Sequence, residues 1–201
     1  MLNLEHYQAI IFDMDGTLLD TMPTHLEAWK QTVEHFGLPF DEQWVHSMGG
    51  MPSVKIAAVL LKEAESTIEP KEVASFKLKT FTEMPISAEP IAHTLNVMNT
   101  YLGDKPMAIG TGSMRESAHR LLKHAELFEH FECVVSSDDV ERHKPNPDTF
   151  LRAAQLMQAE ARHCIVFEDT MLGLQAAHAG GMDCYLVTPD GFEFYPFKGD
   201  N

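Results

Sequence analysis

The sequence predicts an α/β fold: a Rossmann-like, doubly wound parallel sheet with a helical cap inserted after the first strand. Three observations carry that prediction. Five short apolar runs recur along the 201 residues. Stretches with helical spacing follow most of them. One segment, from about Thr21 to Glu89, breaks the alternation and reads as helices alone. Runs this short, rich in Ile and Val, suit strands buried on both faces. Strand alternating with helix implies parallel pairing, with helices covering both sides of the sheet.

Taken in order, the strands are AIIF (9–12), PMAIG (106–110), CVVS (133–136), CIVF (164–167) and CYLV (184–187). In MRESAHRLLKHAEL (114–127), helical spacing puts Ala118, Leu121, Leu122 and Ala125 on one face. NPDTFLRAAQLMQ (146–158) has Pro147 near its start, where a missing N–H costs nothing. TMLGLQAAHAGG (170–181) closes on Gly180-Gly181, a helix stop signal. The inserted segment supplies THLEAWKQTVEHFG, SVKIAAVLLKEAE and KEVASFKLKTFTEM, all amphipathic. Residues 1–20 and 90–201 are therefore expected to form the core, and 21–89 the cap. The aromatic tail GFEFYPFKGDN reads as packing on the core, with an oligomer contact as the alternative.

Composition narrows the function. The formal net charge is −15, a poor match for nucleic acid or an anionic membrane. An anionic substrate would need a local cation. Cys133, Cys164 and Cys184 are widely spaced and odd in number, which suggests neither a disulfide framework nor a zinc site. Two of them sit in apolar runs and read as small buried hydrophobes in a reducing compartment. MLNLEHYQAI lacks a basic start, and no stretch approaches the roughly 20 apolar residues of a membrane span. The expectation is a cytoplasmic protein, a monomer or small homo-oligomer.

Ligands of open parallel sheets bind beyond the carboxyl ends of the strands. There the sequence places Asp13 and Asp15, then Thr111 and Ser113, then Ser136 to Asp139, then Glu168 and Asp169. Clustered carboxylates repel one another and are costly to desolvate. Asp13, Asp15, Glu168 and Asp169 would make an all-oxygen, strongly negative site, which suits Mg²⁺ and needs it. Lys144 follows another strand, in the Pro-rich loop HKPNPD. Blander readings exist. A lone D-x-D is usually a solvated turn, Thr111 could cap the following helix, and Lys144 could be a solvated lysine. Gly173, Ala176, Ala177, Ala179 and Gly180 read as close helix packing. His119, His124 and His130 show no metal spacing and read as surface. An EF-hand reading of DMDGTLLDTMPT fails, because Leu18 and Thr24 stand where that loop needs Gly and Glu.

In order and spacing, FDMDGT, GTGS, HKPNPD and FEDTMLGLQAAHAGGMD resemble the four motifs of the haloacid dehalogenase-like superfamily. The helical insert resembles the cap of its beta-phosphoglucomutase-like subgroup. GLPFDE, GGMPS and AIGTGS are similar to bacterial sugar phosphatases of the fructose-1-phosphate phosphatase kind. The resemblance covers the chain to about Thr188.

The resemblance implies a Mg²⁺-dependent phosphatase that works through an aspartyl phosphate on small sugar phosphates. Asp13 would be the nucleophile and Asp15 the general acid and base. Thr111 and Lys144 would hold the phosphoryl oxygens, with backbone N–H groups near Met14 and Gly112. Asp13, Glu168 and Asp169 would hold the metal, joined by the Asp15 backbone carbonyl. For the substrate it implies His25, Gly50, Lys55 and Lys79 from the cap, and Gly112, Ser113 and Arg115 from the core. Trp29, one helical turn from His25, reads as core packing. The mutases carry an arginine three residues after the second glycine of the loop written here GGMPSVK, where this chain has Ser53. Lys55, the nearest cation, cannot copy a bidentate arginine. Hydrolysis is therefore favoured over the alternative, a beta-phosphoglucomutase interconverting beta-glucose 1-phosphate and glucose 6-phosphate.

Overall fold

The computed structural model describes residues 2–199. Six strands form one sheet: β1 (Ala9–Phe12), β2 (Met107–Gly110), β3 (Cys133–Val135), β4 (Cys164–Glu168), β5 (Asp183–Thr188) and β6 (Gly191–Tyr195). Eight helices join them: α1 (Met22–Phe36), α2 (Glu42–Ser47), α3 (Ser53–Glu63), α4 (Pro70–Glu83), α5 (Ala92–Tyr101), α6 (Arg115–His124), α7 (Asp148–Leu156) and α8 (Met171–Ala179). Among the described residues, no helix is long and apolar enough to cross a membrane.

The central strand explains why its sequence is apolar without alternation. Ile10 and Phe12 pack into one hydrophobic core with Met98 of α5 and Leu122 of α6. Ala9 and Ile11 pack into the opposite core with Phe150 of α7 and Leu174 of α8. Both faces of β1 are thus covered, and all four residues are fully buried.

The strand order is β3-β2-β1-β4-β5-β6. The chain leaves β1 toward β2 and β3, then returns to lay β4 on the other side. The winding therefore reverses between β1 and β4, the place where such sheets open a ligand crevice. Register finishes the alignment. Phe12 sits opposite Ile109 of β2 and Phe167 of β4. Asp13, Thr111, Glu168 and Asp169 consequently leave the sheet at one edge, side by side.

Two features depart from the expectation. The tail read as packing on the core forms a strand, β6, antiparallel to β5, so the sheet is mixed at its margin. Thr188 pairs with Gly191 across a two-residue turn. Phe192 packs edge-on to Phe167, while Phe194 stays 47 % exposed. The last two tail residues lie outside the described residues. Helices α2 and α5 were also not anticipated.

Helices α1 to α4 have a hydrophobic core of their own, built on Trp29, Val33, Ile56, Leu60 and Val73. Gly37 ends α1 with φ 64°, a left-handed stop. This bundle sits over the carboxyl edge of the sheet. Its loop touches the core backbone directly: a Cβ on Gly112 would lie 2.1 Å from the Gly50 carbonyl oxygen.

Candidate active site

Asp13 follows β1 and is buried. Its Oδ1 accepts a hydrogen bond from Lys144 Nζ at 2.5 Å. The same ammonium donates to Glu168 Oε1 at 2.9 Å. The peptide between Lys144 and Pro145 is cis. Glu168 is fixed from behind, its Oε2 accepting from the Thr170 N–H and hydroxyl. Thr170 in turn caps α8 by accepting from the Gly173 N–H at 3.1 Å. Gly173 does more than pack the helix, contrary to the expectation. A Cβ there would sit 1.9 Å from the Glu168 carboxyl carbon. Asp169 accepts from the Thr17 hydroxyl at 2.9 Å. Gly16 turns the chain at φ +84°, and a Cβ there would overlap Asp169 Oδ2.

Carboxylate oxygens of Asp13, Glu168 and Asp169 all lie within 4.8 Å of one another. Three carboxylates thus face one ammonium, leaving two negative charges uncompensated. Burial, then Glu168, Asp169 and Asp15, raise the Asp13 pKa well above the carboxylate range despite Lys144. Burial and the Glu168 charge push Asp169 up to about 7. Burial works to lower the Lys144 pKa, but Asp13 and Glu168 overcome it and hold the lysine charged. The donors are hard oxygens, and a divalent cation would cancel the excess charge. The residues present therefore fit Mg²⁺.

Asp15 lives differently. Its side chain turns from the acid cluster toward the cap, so of its expected metal role only the backbone carbonyl remains. Thr21 donates to Oδ1 at 2.6 Å, and Ser113 and Thr111 donate to Oδ2 at 2.7 and 3.3 Å. His25 Nε2 stands 3.1 Å from Oδ1. Burial alone would raise this carboxyl, yet His25 and the surrounding hydroxyls outweigh it and lower the pKa. Behind His25, Lys77 Nζ lies 2.6 Å from Nδ1. Burial and the Lys77 charge hold His25 below its ordinary pKa, so the ring is neutral at pH 7. Lys77 donates to Nδ1, which leaves the ring proton on Nε2 to donate to Asp15. The ring also stacks on Phe81 at 4.2 Å. Lys77 itself is brought down to about 8 by burial.

Between sheet and cap lies a cavity of about 440 Å³, lined by Asp13, Asp15, His25, Gly50, Thr111, Gly112 and Ser113. Three expected substrate residues do not line it. Lys79 is 72 % exposed and pairs with Glu83. Lys77, two residues earlier, takes the inward position, because it shares the buried stripe of Val73 and Phe81 at i±4. Lys55 is absent from the lining, though its charge adds to burial in lowering the pKa of His143, which lines the cavity. Arg115 is held by Asp139 at 2.5 Å on the outer surface. Thr111 caps no helix, since α6 begins after Met114 with no side-chain cap. Thr21, Lys77 and Ser117 were missed. Lys77 was readable as a lysine centred on an apolar helix stripe.

Known proteins resemble this chain over most of its length. The family model described as haloacid dehalogenase-like hydrolase matches residues 10–187. The fructose-1-phosphate phosphatase YqaB of Escherichia coli is 42 % identical over 184 residues, 91 % of this chain and 97 % of that one. A phosphorylated carbohydrates phosphatase of Thermotoga maritima is 27 % identical, over 88 % of this chain and 82 % of its own. Among solved structures, a hydrolase from Pseudomonas syringae shares the fold with TM-score 0.80 at 24 % identity, over 88 % of this chain and 83 % of that one.

Proposed function

The chain belongs to the haloacid dehalogenase-like hydrolase family and is a phosphoric monoester hydrolase; from that premise we propose that it hydrolyses small sugar phosphates of the fructose 1-phosphate type through Asp13. The observation that carries this reading is the seat of Asp13. It lies on the floor of a covered cavity, beside Lys144 and two further carboxylates.

A phosphoryl group entering above Asp13 meets the Lys144 ammonium and the Thr111 hydroxyl, which hold its non-bridging oxygens. An Asp13 oxygen attacks phosphorus as the bond to the sugar oxygen breaks, leaving an aspartyl phosphate. Mg²⁺ held by Asp13, Glu168, Asp169 and the Asp15 carbonyl would keep Asp13 ionised and neutralise phosphoryl charge. Asp15 protonates the leaving oxygen. In the free protein it is a carboxylate saturated with donors. An arriving phosphate draws Thr111 and Ser113 to its own oxygens and adds negative charge, and both effects raise the proton affinity of Asp15, which takes up a proton from solvent before the bond to the sugar oxygen breaks. In the second half, Asp15 takes a proton from the water that attacks the aspartyl phosphate. The neutral His25, fixed by Lys77 and Phe81, holds Asp15 in place from the cap side.

The cavity lining supports hydrolysis over mutase chemistry. Ser53 faces the cavity where a mutase would present its arginine, and Lys55 does not line it. The test is phosphate release from fructose 1-phosphate and from an aryl phosphate, each with and without chelator. Release should require metal. Activity that survives complete metal removal contradicts the mechanism. Glucose 6-phosphate formed faster than free phosphate from beta-glucose 1-phosphate contradicts the hydrolase reading.

A further inference from the structure

The cap is the expected seat of specificity, yet its cavity wall is largely apolar. Leu26, Met48, Met51, Val54 and Leu78 belong to it, with Lys71, Lys77 and His25 as its charged or titratable members. The cap serines in the lining, Ser53 and Ser75, are half-buried and exposed respectively. Water competes freely for such groups. The core side differs. Ser117 lines the same cavity on α6 and is only 7 % exposed.

A buried helical hydroxyl usually bonds the carbonyl four residues back. Thr32 does so, donating to the Ala28 carbonyl at 2.7 Å, whereas the equally buried Thr94 does not. For Ser117 that carbonyl belongs to Ser113, which lies before α6 and turns to accept the Ser137 N–H at 3.0 Å. The Ser117 hydroxyl makes no hydrogen bond among the described residues, although buried hydroxyls almost always find a partner. Ser113, four residues earlier and before the start of α6, donates to Asp15. Ser117 lines the same cavity as Ser113 and Asp15. His143, half-buried in the same lining, is neutral because burial and Lys55 lower its pKa, so it can donate and accept.

We propose that Ser117 is the residue that selects the sugar, by hydrogen-bonding a substrate hydroxyl near the phosphate, while the apolar cap wall covers the C–H face. The proposal rests on the sugar phosphatase reading. It makes the core, through α6, the seat of specificity, with the cap acting as a lid of matching polarity.

The experiment measures kcat/KM of the metal-loaded protein on 4-nitrophenyl phosphate and on a panel of ketose and aldose monophosphates with their monodeoxy analogues. Ser117→Ala and Ser75→Ala are compared with the unmodified chain. For the best sugar, Ser117→Ala should lower the sugar-to-aryl ratio about 5- to 10-fold, the scale of one neutral hydrogen bond. One monodeoxy analogue should be penalised by the unmodified protein and no longer by Ser117→Ala. Ser75→Ala should move the ratio less than about twofold, as for an exposed group. A ratio unchanged in Ser117→Ala, or a larger change in Ser75→Ala, overturns the proposal alone. Turnover of the aryl phosphate with none of any sugar phosphate overturns the sugar reading and the proposal with it. Alanine suits a helix interior, and a thermal melt of each variant separates misfolding from lost recognition.

Discussion

Asp13 and Asp15 are two residues apart, both inside the protein, and their surroundings drive them in opposite directions. Asp13 sits among charges: one ammonium and two more carboxylates. Asp15 sits among donors: three hydroxyls and a neutral imidazole. Burial raises both, but only around Asp15 do the neighbours overcome it. One extended step of backbone thus separates a site built to receive a cation from a site built to handle a proton.

The widest separation should come from removing the nucleophile. Asp13→Asn leaves an amide that cannot attack phosphorus, and turnover should fall by about 10⁶-fold, the scale seen when a nucleophile is deleted. Rapid-quench trapping should find no phosphoprotein; trapped phosphate on this variant would mean that Asp13 is not the nucleophile. Asp15→Asn should cost about 10²–10⁴-fold on sugar phosphates, the usual worth of general acid–base help. An aryl phosphate, whose leaving oxygen needs little protonation, should suffer less in the first step. Equal losses on both substrates would remove the proton role from Asp15.

The charged half of the comparison can be sharpened with pH. In the folded protein Asp169 titrates near 7, while an ordinary aspartate titrates at 3.8. Between those values the folded, metal-free protein holds a proton that the unfolded chain has released. Its stability therefore falls as pH rises through that window. The lowered pKa of Asp15 works the other way, but only at more acidic pH. His25 and His143, held neutral in the fold, oppose this fall below their ordinary pKa of 6.5, so under chelator the thermal midpoint should drop from about pH 6.5 to about pH 8. Mg²⁺ should restore it most at the upper end, and Asp169→Asn should flatten the slope. A midpoint that climbs with pH under chelator would show that the cluster is not strained by its own charge.

The proton half has the smallest and most local test. Lys77→Met removes the charge that depresses His25, so the His25 pKa should move up toward its ordinary value, read by NMR of the ring. Lys79→Met should leave that titration alone and change turnover by under about twofold, because its surface pair with Glu83 is worth little. A shift in His25 from the Lys79 variant would reverse the assignment of the two lysines.

The five parallel strands were legible because burial on both faces leaves an unbroken apolar run between turn residues. β6 was not, since a hairpin strand at the sheet margin exposes half its side chains. Its signal was present as the turn residues Pro189-Asp190 with Gly191 directly after them. The carboxylates and Lys144 were legible because their order along the chain follows the strand ends. The cap was harder. Lys77 and Lys79 differ only in helical phase, and Val73-x-x-x-Lys77-x-x-x-Phe81 settles that phase once the stripe is counted. Ser117 carries no motif at all. Its interest arises from an unpartnered hydroxyl in the cavity lining, a fact of tertiary structure that no local pattern records.

Gly50 and Gly112 meet backbone to backbone, with no room for a single carbon between them. The contact acts as a mechanical stop. Side chains yield by changing rotamer, whereas two peptide units in contact cannot. The α1–α4 bundle therefore cannot come closer to the sheet at this point. The His25 ring rides on the lid and Asp15 on the base, so the stop also gauges the gap between them. A methyl group at position 112 would act as a shim, propping the lid open and lengthening the His25–Asp15 contact without touching either residue.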